Sequence, residues 1–145
     1  MTMALDVSIA KFFNSVSKSN MKGPCEAFYD PAAVFDDPMV HLEGRDRLIS
    51  YYSRLYDNVI DIHFDVTSEI CVGDETYARW TMRLKHKRLK SGKEMSVDGV
   101  SYVRSRNGKA VYHRDYFDLG SMLYENIPGF GSLVKLVRGF AAGNH

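Results

Sequence analysis

The chain has 145 residues, with 19 Lys and Arg against 18 Asp and Glu, and 45% of it is hydrophobic. A net charge of +1 excludes a chain built as a polybasic binder of nucleic acid or of an anionic membrane surface. The composition is that of an ordinary soluble domain, and the length argues for one domain over residues 1–145, able to bury about 70% of the surface its unfolded chain exposes.

The aromatic share is 12%, enough to fill a core or to line a pocket. Cys25 and Cys71 form no CxxC pair and no Cys/His cluster at zinc spacing, so no metal site and no cofactor are expected. Free, buried thiols in a reducing compartment are the first reading and a single disulfide the alternative. The start, "MTMALDVSIAKFF", lacks the basic and apolar segments of a secretory signal. No stretch approaches the roughly 20 apolar residues of a membrane span. The expected location is the cytoplasm.

Leu5, Ile9, Phe12, Phe13 and Val16 recur at helical spacing and predict an amphipathic helix over residues 4–19. Pro24 suits the first turn of a second, short helix, "PCEAFY", which Asp30-Pro31 should stop. "AVFDDPMVHLEG" reads as a short strand with a bend at Pro38. "RDRLISYYSRLYDNV" places Leu48, Tyr52, Leu55 and Val59 on one face of a third helix. From Ile62 the period changes to two, and four long antiparallel strands follow. Their turns are "GDE", "KSGKE" and "RNGK", with Asn107-Gly108 the strongest hairpin signal. Leu133, Val134, Val137 and Phe140 suggest a short amphipathic helix in a tail or lid over residues 121–145. Helices followed by a run of strands predict an α+β fold, a strongly twisted antiparallel sheet wrapped around the helices.

Two carboxylates stand out. Alternation in "VYHRDYFD" puts His113, Asp115 and Phe117 on one face of the last strand and Arg114, Tyr116 and Asp118 on the other. Asp115 either pairs with an arginine, Arg79 or Arg114, and ties strands together, or faces a pocket as a proton donor or acceptor. Asp37, between Phe35 and Met39 and before Pro38, is either a turn residue capping its own backbone or a carboxylate whose apolar surroundings fit it for acid/base work. The basic run "RLKHKRLKSGK" reads as a solvated hairpin or as a phosphate-binding one. Trp80 and Met82 read as core or interface. The tail segment "GSLVKLVRGF" is too short and too weakly basic for a membrane-surface helix.

The element order, with "FYDPAAVFDDPMVHLEGRDRLISYYSRLY" and "GKAVYHRDYFDLGSMLYE", resembles the nuclear transport factor 2-like superfamily over about residues 5–127. This superfamily covers SnoaL-like polyketide cyclases, ketosteroid isomerases and limonene epoxide hydrolases. The resemblance implies a cone: a curved sheet around three N-terminal helices, enclosing an apolar pocket, in a protein that dimerises through the outer sheet face. It implies a small hydrophobic or cyclic ligand and no nucleic acid or membrane partner. Asp37-Pro38 matches the proton-shuttling Asp of the isomerases. Phe13 and Ser101 stand where those enzymes have their oxyanion-binding Tyr and Asp. Arg79 and Asp115 match two members of the epoxide hydrolase triad, and Thr81 replaces the third. Asp115 also matches the acid/base Asp of the SnoaL-like cyclases. The implied catalytic set is Asp37, Asp115 and His113, and the implied pocket includes Phe13, Phe35, Met39, Tyr52, Tyr56, Arg79, Thr81, Ser101 and Phe117. The function expected is a cofactor-independent isomerase or cyclase. The alternative is a non-catalytic binding module on the same fold, and epoxide hydrolysis is less favoured.

Overall fold

The computed structural model describes residues 4–122 and 139–142. Most of the predicted tail, and with it the lid, lies outside the described residues.

Helix α1 spans Ile9–Ser15, shorter than its apolar pattern. Two side chains satisfy its first amides. Ser8 Oγ accepts from Lys11 N at 3.0 Å, and the Glu69 carboxylate accepts from Ile9 N (2.8 Å) and Ala10 N (3.1 Å). The helix ends where Ser15 Oγ donates back to the carbonyl of Phe12 and Val16 turns extended. Its buried face, Ile9, Phe12 and Phe13, meets helix α2, Lys22–Phe28, where Phe12 and Phe28 stack at 4.2 Å. Pro24 sits in the first turn of α2, where its missing N–H costs no helical bond.

Strand β1 runs Tyr29–Asp36, so the chain becomes extended before Pro31 rather than after it. Register against the last strand shifts between Tyr29 and Val34, and Pro31 falls inside that irregularity, where a residue without an N–H is tolerated. A tight turn leads to β2, His41–Glu43, and then to α3, Arg45–Tyr56. Val59 does not continue α3. It opens β3, Val59–Val72, which is followed by β4 (Glu75–His86), β5 (Met95–Arg106), β6 (Lys109–Phe117) and a short α4, Leu119–Met122.

The six strands form one sheet in the order β2-β1-β6-β5-β4-β3. All neighbours are antiparallel except β1 and β6, which run parallel. Register shifts within the β3–β4 and β5–β6 pairs bend the sheet into a curved, open cone with the N-terminal helices on its concave side. The Asn107-Gly108 turn has φ of 54° and 81°, the left-handed pair that a two-residue hairpin requires. Asp6 N donates to Gly108 O at 2.9 Å, so the N-terminal segment rests on this turn. The long edge strand β3 is blunted by α1: the Asn14 amide donates to Phe64 O and accepts from Phe64 N, both at 2.9 Å.

Along β4, the inward residues are Ala78, Trp80, Met82 and Leu84, all buried. Across from Trp80 lies Gly99 of β5, and a Cβ there would stand 2.3 Å from the indole. Cys25 is buried and Cys71 is exposed, both free, so burial holds for only one of the two expected thiols. Burial pushes the Cys25 thiol up to about 12.

Two substitutions test this account. Glu69→Ala should remove the bond to the two leading amides of α1 and lower stability by about 1 kcal/mol in urea denaturation, with m unchanged. Gly99→Ala should displace Trp80, cost about 1–3 kcal/mol, and shift the emission of this sole tryptophan to the red.

Candidate functional site

The concave sheet face, α1 and α3 enclose a cavity of about 180 Å³. Its wall is mostly apolar: Phe12 and Phe13 from α1, Tyr52 and Tyr56 from α3, Ile62 and Phe64 from β3, Trp80, Met82 and Leu84 from β4, and Phe117 from β6. Two carboxylates and an imidazole interrupt it: Asp37, Asp115 and His86. Among the described residues, no helix is long and apolar enough to cross a membrane.

Asp115 is carried inward by β6. Its side chain is 16% exposed, and its Oδ1 accepts two short hydrogen bonds, from Ser101 Oγ at 2.5 Å and from His113 Nε2 at 2.6 Å. Ser101 in turn accepts from Trp80 Nε1 at 2.9 Å. His113 is fully buried among Phe13, Phe28, Tyr29 and Phe35. Its Nδ1 meets Tyr29 OH at 2.6 Å, and Tyr29 OH meets Tyr52 OH at 2.8 Å. Burial pushes both phenols well above their ordinary range, so both remain protonated. One direction runs through the whole series: Tyr52 donates to Tyr29, Tyr29 to His113 Nδ1, and His113 Nε2–H to Asp115. Among the described residues no hydrogen bond reaches Asp115 Oδ2. The arginine pairing considered for Asp115 is not formed. Arg79 and Arg114 are both exposed on the opposite face of the sheet.

Asp37 has a different environment. Its Oδ1 accepts from Met39 N (2.7 Å) and Val40 N (2.9 Å), closing the β1–β2 turn. Its Oδ2 accepts from Tyr51 OH at 2.8 Å. Burial first, then this bond to Asp37, pushes the Tyr51 phenol far up, so it stays a donor. Asp37 therefore caps its turn, as the first of its two sequence readings has it, and also lines the cavity.

Of the residues named from the sequence, Asp37, Asp115, Phe13, Phe35, Met39, Tyr52, Tyr56 and Phe117 come together on the cavity wall. His113 and Ser101 are buried behind Asp115 rather than on the wall. Arg79 and Thr81 are not part of the cavity. Alternation turns them away from Trp80 and Met82, and Thr81 Oγ1 donates to Asp98 at 2.6 Å. Sequence reasoning missed Tyr29 and His86. The register shift around Pro31 hides the inward position of Tyr29. The alternation Trp80, Met82, Leu84, His86 was a visible signal for His86, masked by the lysines on either side.

A family model described as a SnoaL-like domain matches residues 9–113. Among solved structures, a protein of ketosteroid isomerase-like fold from Catenulispora acidiphila, in complex with trimethylamine, superposes with a TM-score of 0.68 at 14% identity, covering 81% of this chain and 94% of that one. A SnoaL-like polyketide cyclase from Jannaschia sp. gives 0.64 at 15% identity, with coverage of 70% and 75%. An epoxide hydrolase from M. tuberculosis, similar to limonene epoxide hydrolase, gives 0.63 at 16% identity and covers 90% of each chain. Comparison with curated protein sequences gives no match. At these identities the structures establish the fold alone. With most of its length matched by the family model, and with the curved sheet and helices on its concave side, the chain belongs to the SnoaL-like domain family.

Proposed function

We propose that the protein is a cofactor-independent acid/base enzyme of the isomerase or cyclase kind, acting on a small, largely apolar molecule, with Asp115 as the group that moves the proton. The observation that carries this reading is the asymmetry of the Asp115 carboxylate. Ser101 and His113 hold Oδ1, while among the described residues no hydrogen bond engages Oδ2 on this residue of the cavity wall. A ligand carbon acidified by an adjacent carbonyl gives its proton to Oδ2. The electron pair moves onto the ligand oxygen as an enolate, and the proton returns to another ligand atom. Two bonds to Oδ1 keep the carboxylate oriented through both steps. Asp37 has its donors already in place and acts by orienting the ligand and shaping the turn.

A non-catalytic ligand-binding module is the second reading, favoured by the full engagement of Asp37 and by Phe13 standing where the isomerases carry a donor. The two separate in one experiment. A panel of cyclic β,γ-unsaturated ketones is incubated with the protein in D2O, and deuterium uptake and double-bond migration are followed by NMR. The enzyme reading expects turnover that Asp115→Asn lowers about a hundredfold or more while thermal unfolding is little changed. Binding shifts in unfolding temperature without exchange support the module instead. Equal turnover in Asp115→Asn and the parent ends the assignment of Asp115.

The reading extends to a cytoplasmic homodimer. Tyr77 (44% exposed), Val100 (39%) and Tyr116 (52%) lie on the outer sheet face beside the arginines Arg79 and Arg114. This is a composition suited to an interface. Light scattering on a sizing column should give twice the chain mass, and Tyr116→Lys with Val100→Lys should give a monomer. A parent that runs as a monomer contradicts the dimer.

A further inference from the structure

The run "RLKHKRLKSGK" is unaccounted for by proton chemistry at Asp115, yet it borders the same cavity. The inward side of β4 reads Ala78, Trp80, Met82, Leu84, His86. Apolar residues follow one another from the level of Ser101 and Asp115, and then an imidazole ends the series. Six residues separate Trp80 from His86, a path of roughly 20 Å at the rise of a strand, shortened by the bend of the sheet. The cavity therefore has two polar ends with an oily wall between them. One is the carboxylate end at Asp115. The other is the His86 end, closed by Leu55, Tyr56, Val59 and Leu89.

The hydrogen bonding of His86 fixes what it can offer. Its Nδ1 lies 3.1 Å from Arg88 N and must accept that backbone N–H, so the ring proton sits on Nε2. Among the described residues nothing accepts from Nε2. Burial first, and then the nearby Arg88 cation, lower the pKa of the ring. Arg88 itself has no carboxylate partner among the described residues. Around it the sequence places Lys85, Lys87, Lys90 and Lys93, against the single acid Glu94 within the hairpin. An N–H donor on the cavity wall, two residues from an exposed arginine that has no carboxylate partner among the described residues and in a segment rich in lysine, is suited to receive negative oxygen.

We propose that this end of the cavity is a head-group subsite, in which His86 Nε2–H and the Arg88 guanidinium receive the anionic oxygens, carboxylate or phosphate, of an elongated apolar ligand whose body lies along Trp80, Met82 and Leu84 toward Asp115. The inference deepens the cavity reading and names its substrate class as an apolar anion. It does not depend on Asp115 being catalytic.

Binding alone tests it, with the single tryptophan as reporter because Trp80 lines the cavity. Decanoate, decyl phosphate, decan-1-ol and decylamine are titrated separately, below their micelle concentrations, while Trp80 emission is followed. Decanoate or decyl phosphate should bind about tenfold or more tighter than decan-1-ol, and decylamine most weakly. Whichever anion binds tighter identifies the head-group chemistry. His86→Leu and Arg88→Ala should each reduce the preference for anion over alcohol several-fold. Arg88 is on the surface, so its variant is read even if His86→Leu folds poorly. Asp115→Asn should keep the full preference, and a loss of turnover there beside retained preference separates this subsite from the proton chemistry. Equal affinity for alcohol and anions, preference for decylamine, a preference untouched by both substitutions, or no Trp80 response to any probe overturns the proposal.

Discussion

The hydrogen bond from Trp80 Nε1 to Ser101 Oγ is the constraint on which the interior of this protein depends. It joins two requirements that otherwise compete. The indole must lie flat enough to wall the cavity, and that is sterically open only because Gly99 has no side chain. The carboxylate of Asp115 must be held in apolar surroundings, and Ser101 can donate to it because its own lone pair is already taken by the indole N–H. A buried indole N–H without an acceptor would cost about 1–3 kcal/mol, and so would a serine hydroxyl turned the wrong way. One chain of donors removes both costs and sets the direction of each proton in it.

The same logic runs on the other side of Asp115. His113 is enclosed by aromatic rings and shut off from solvent, so its two nitrogens find their partners in the protein. Tyr29 and Tyr52 supply one and Asp115 the other. A linear series of donors through phenol, phenol and imidazole ends on a carboxylate oxygen. Its members belong to α3, β1 and β6, so the helical layer and the sheet are locked in register by polar contacts at the centre of an apolar core. This explains how a small domain keeps a hollow interior without collapsing into it. The groups next to the hollow are tied outward, into the walls.

Much of this was legible in the sequence, and the remainder was hidden for identifiable reasons. Period-two alternation marked β3 to β6, and Asn107-Gly108 marked their last turn, because both signals are local. The sharing of one face by His113, Asp115 and Phe117 followed from the same alternation, although alternation alone left open which face turns inward. Helix α1 was overextended at both ends and α3 at its C-terminal end. Apolar spacing continues through Val16 and Val59, while the chain leaves the helix where Ser15 competes for a backbone carbonyl and where β3 recruits Val59 into its ladder. Tyr29 was read as helical because the irregularity at Pro31 breaks the alternation that would have revealed it. Arg79 and Thr81 were carried over from a motif, and strand parity alone turns them outward. The parallel pairing of β1 with β6 is a long-range choice that no local pattern encodes.

Two carboxylates on one apolar cavity pose an electrostatic problem, since like charges in a low-dielectric space raise each other's energy. Among the described residues the fold answers it with donors rather than cations, as no Lys or Arg pairs with either carboxylate. Asp37 receives three donors, two of them backbone amides of its own turn, and both its oxygens are engaged. Asp115 receives two, both on one oxygen. A carboxylate with both oxygens engaged holds its charge in place and gives a ligand little to bind. A carboxylate with one oxygen anchored and one open can accept a proton without giving up its orientation. The same residue type is thus divided into a fully engaged carboxylate and a half-engaged one by the number and placement of the N–H and O–H groups around it. That division is set by strand β6 facing Ser101 on one side and by the Asp37 turn on the other, and it would survive any exchange of apolar wall residues that leaves those donors where they are.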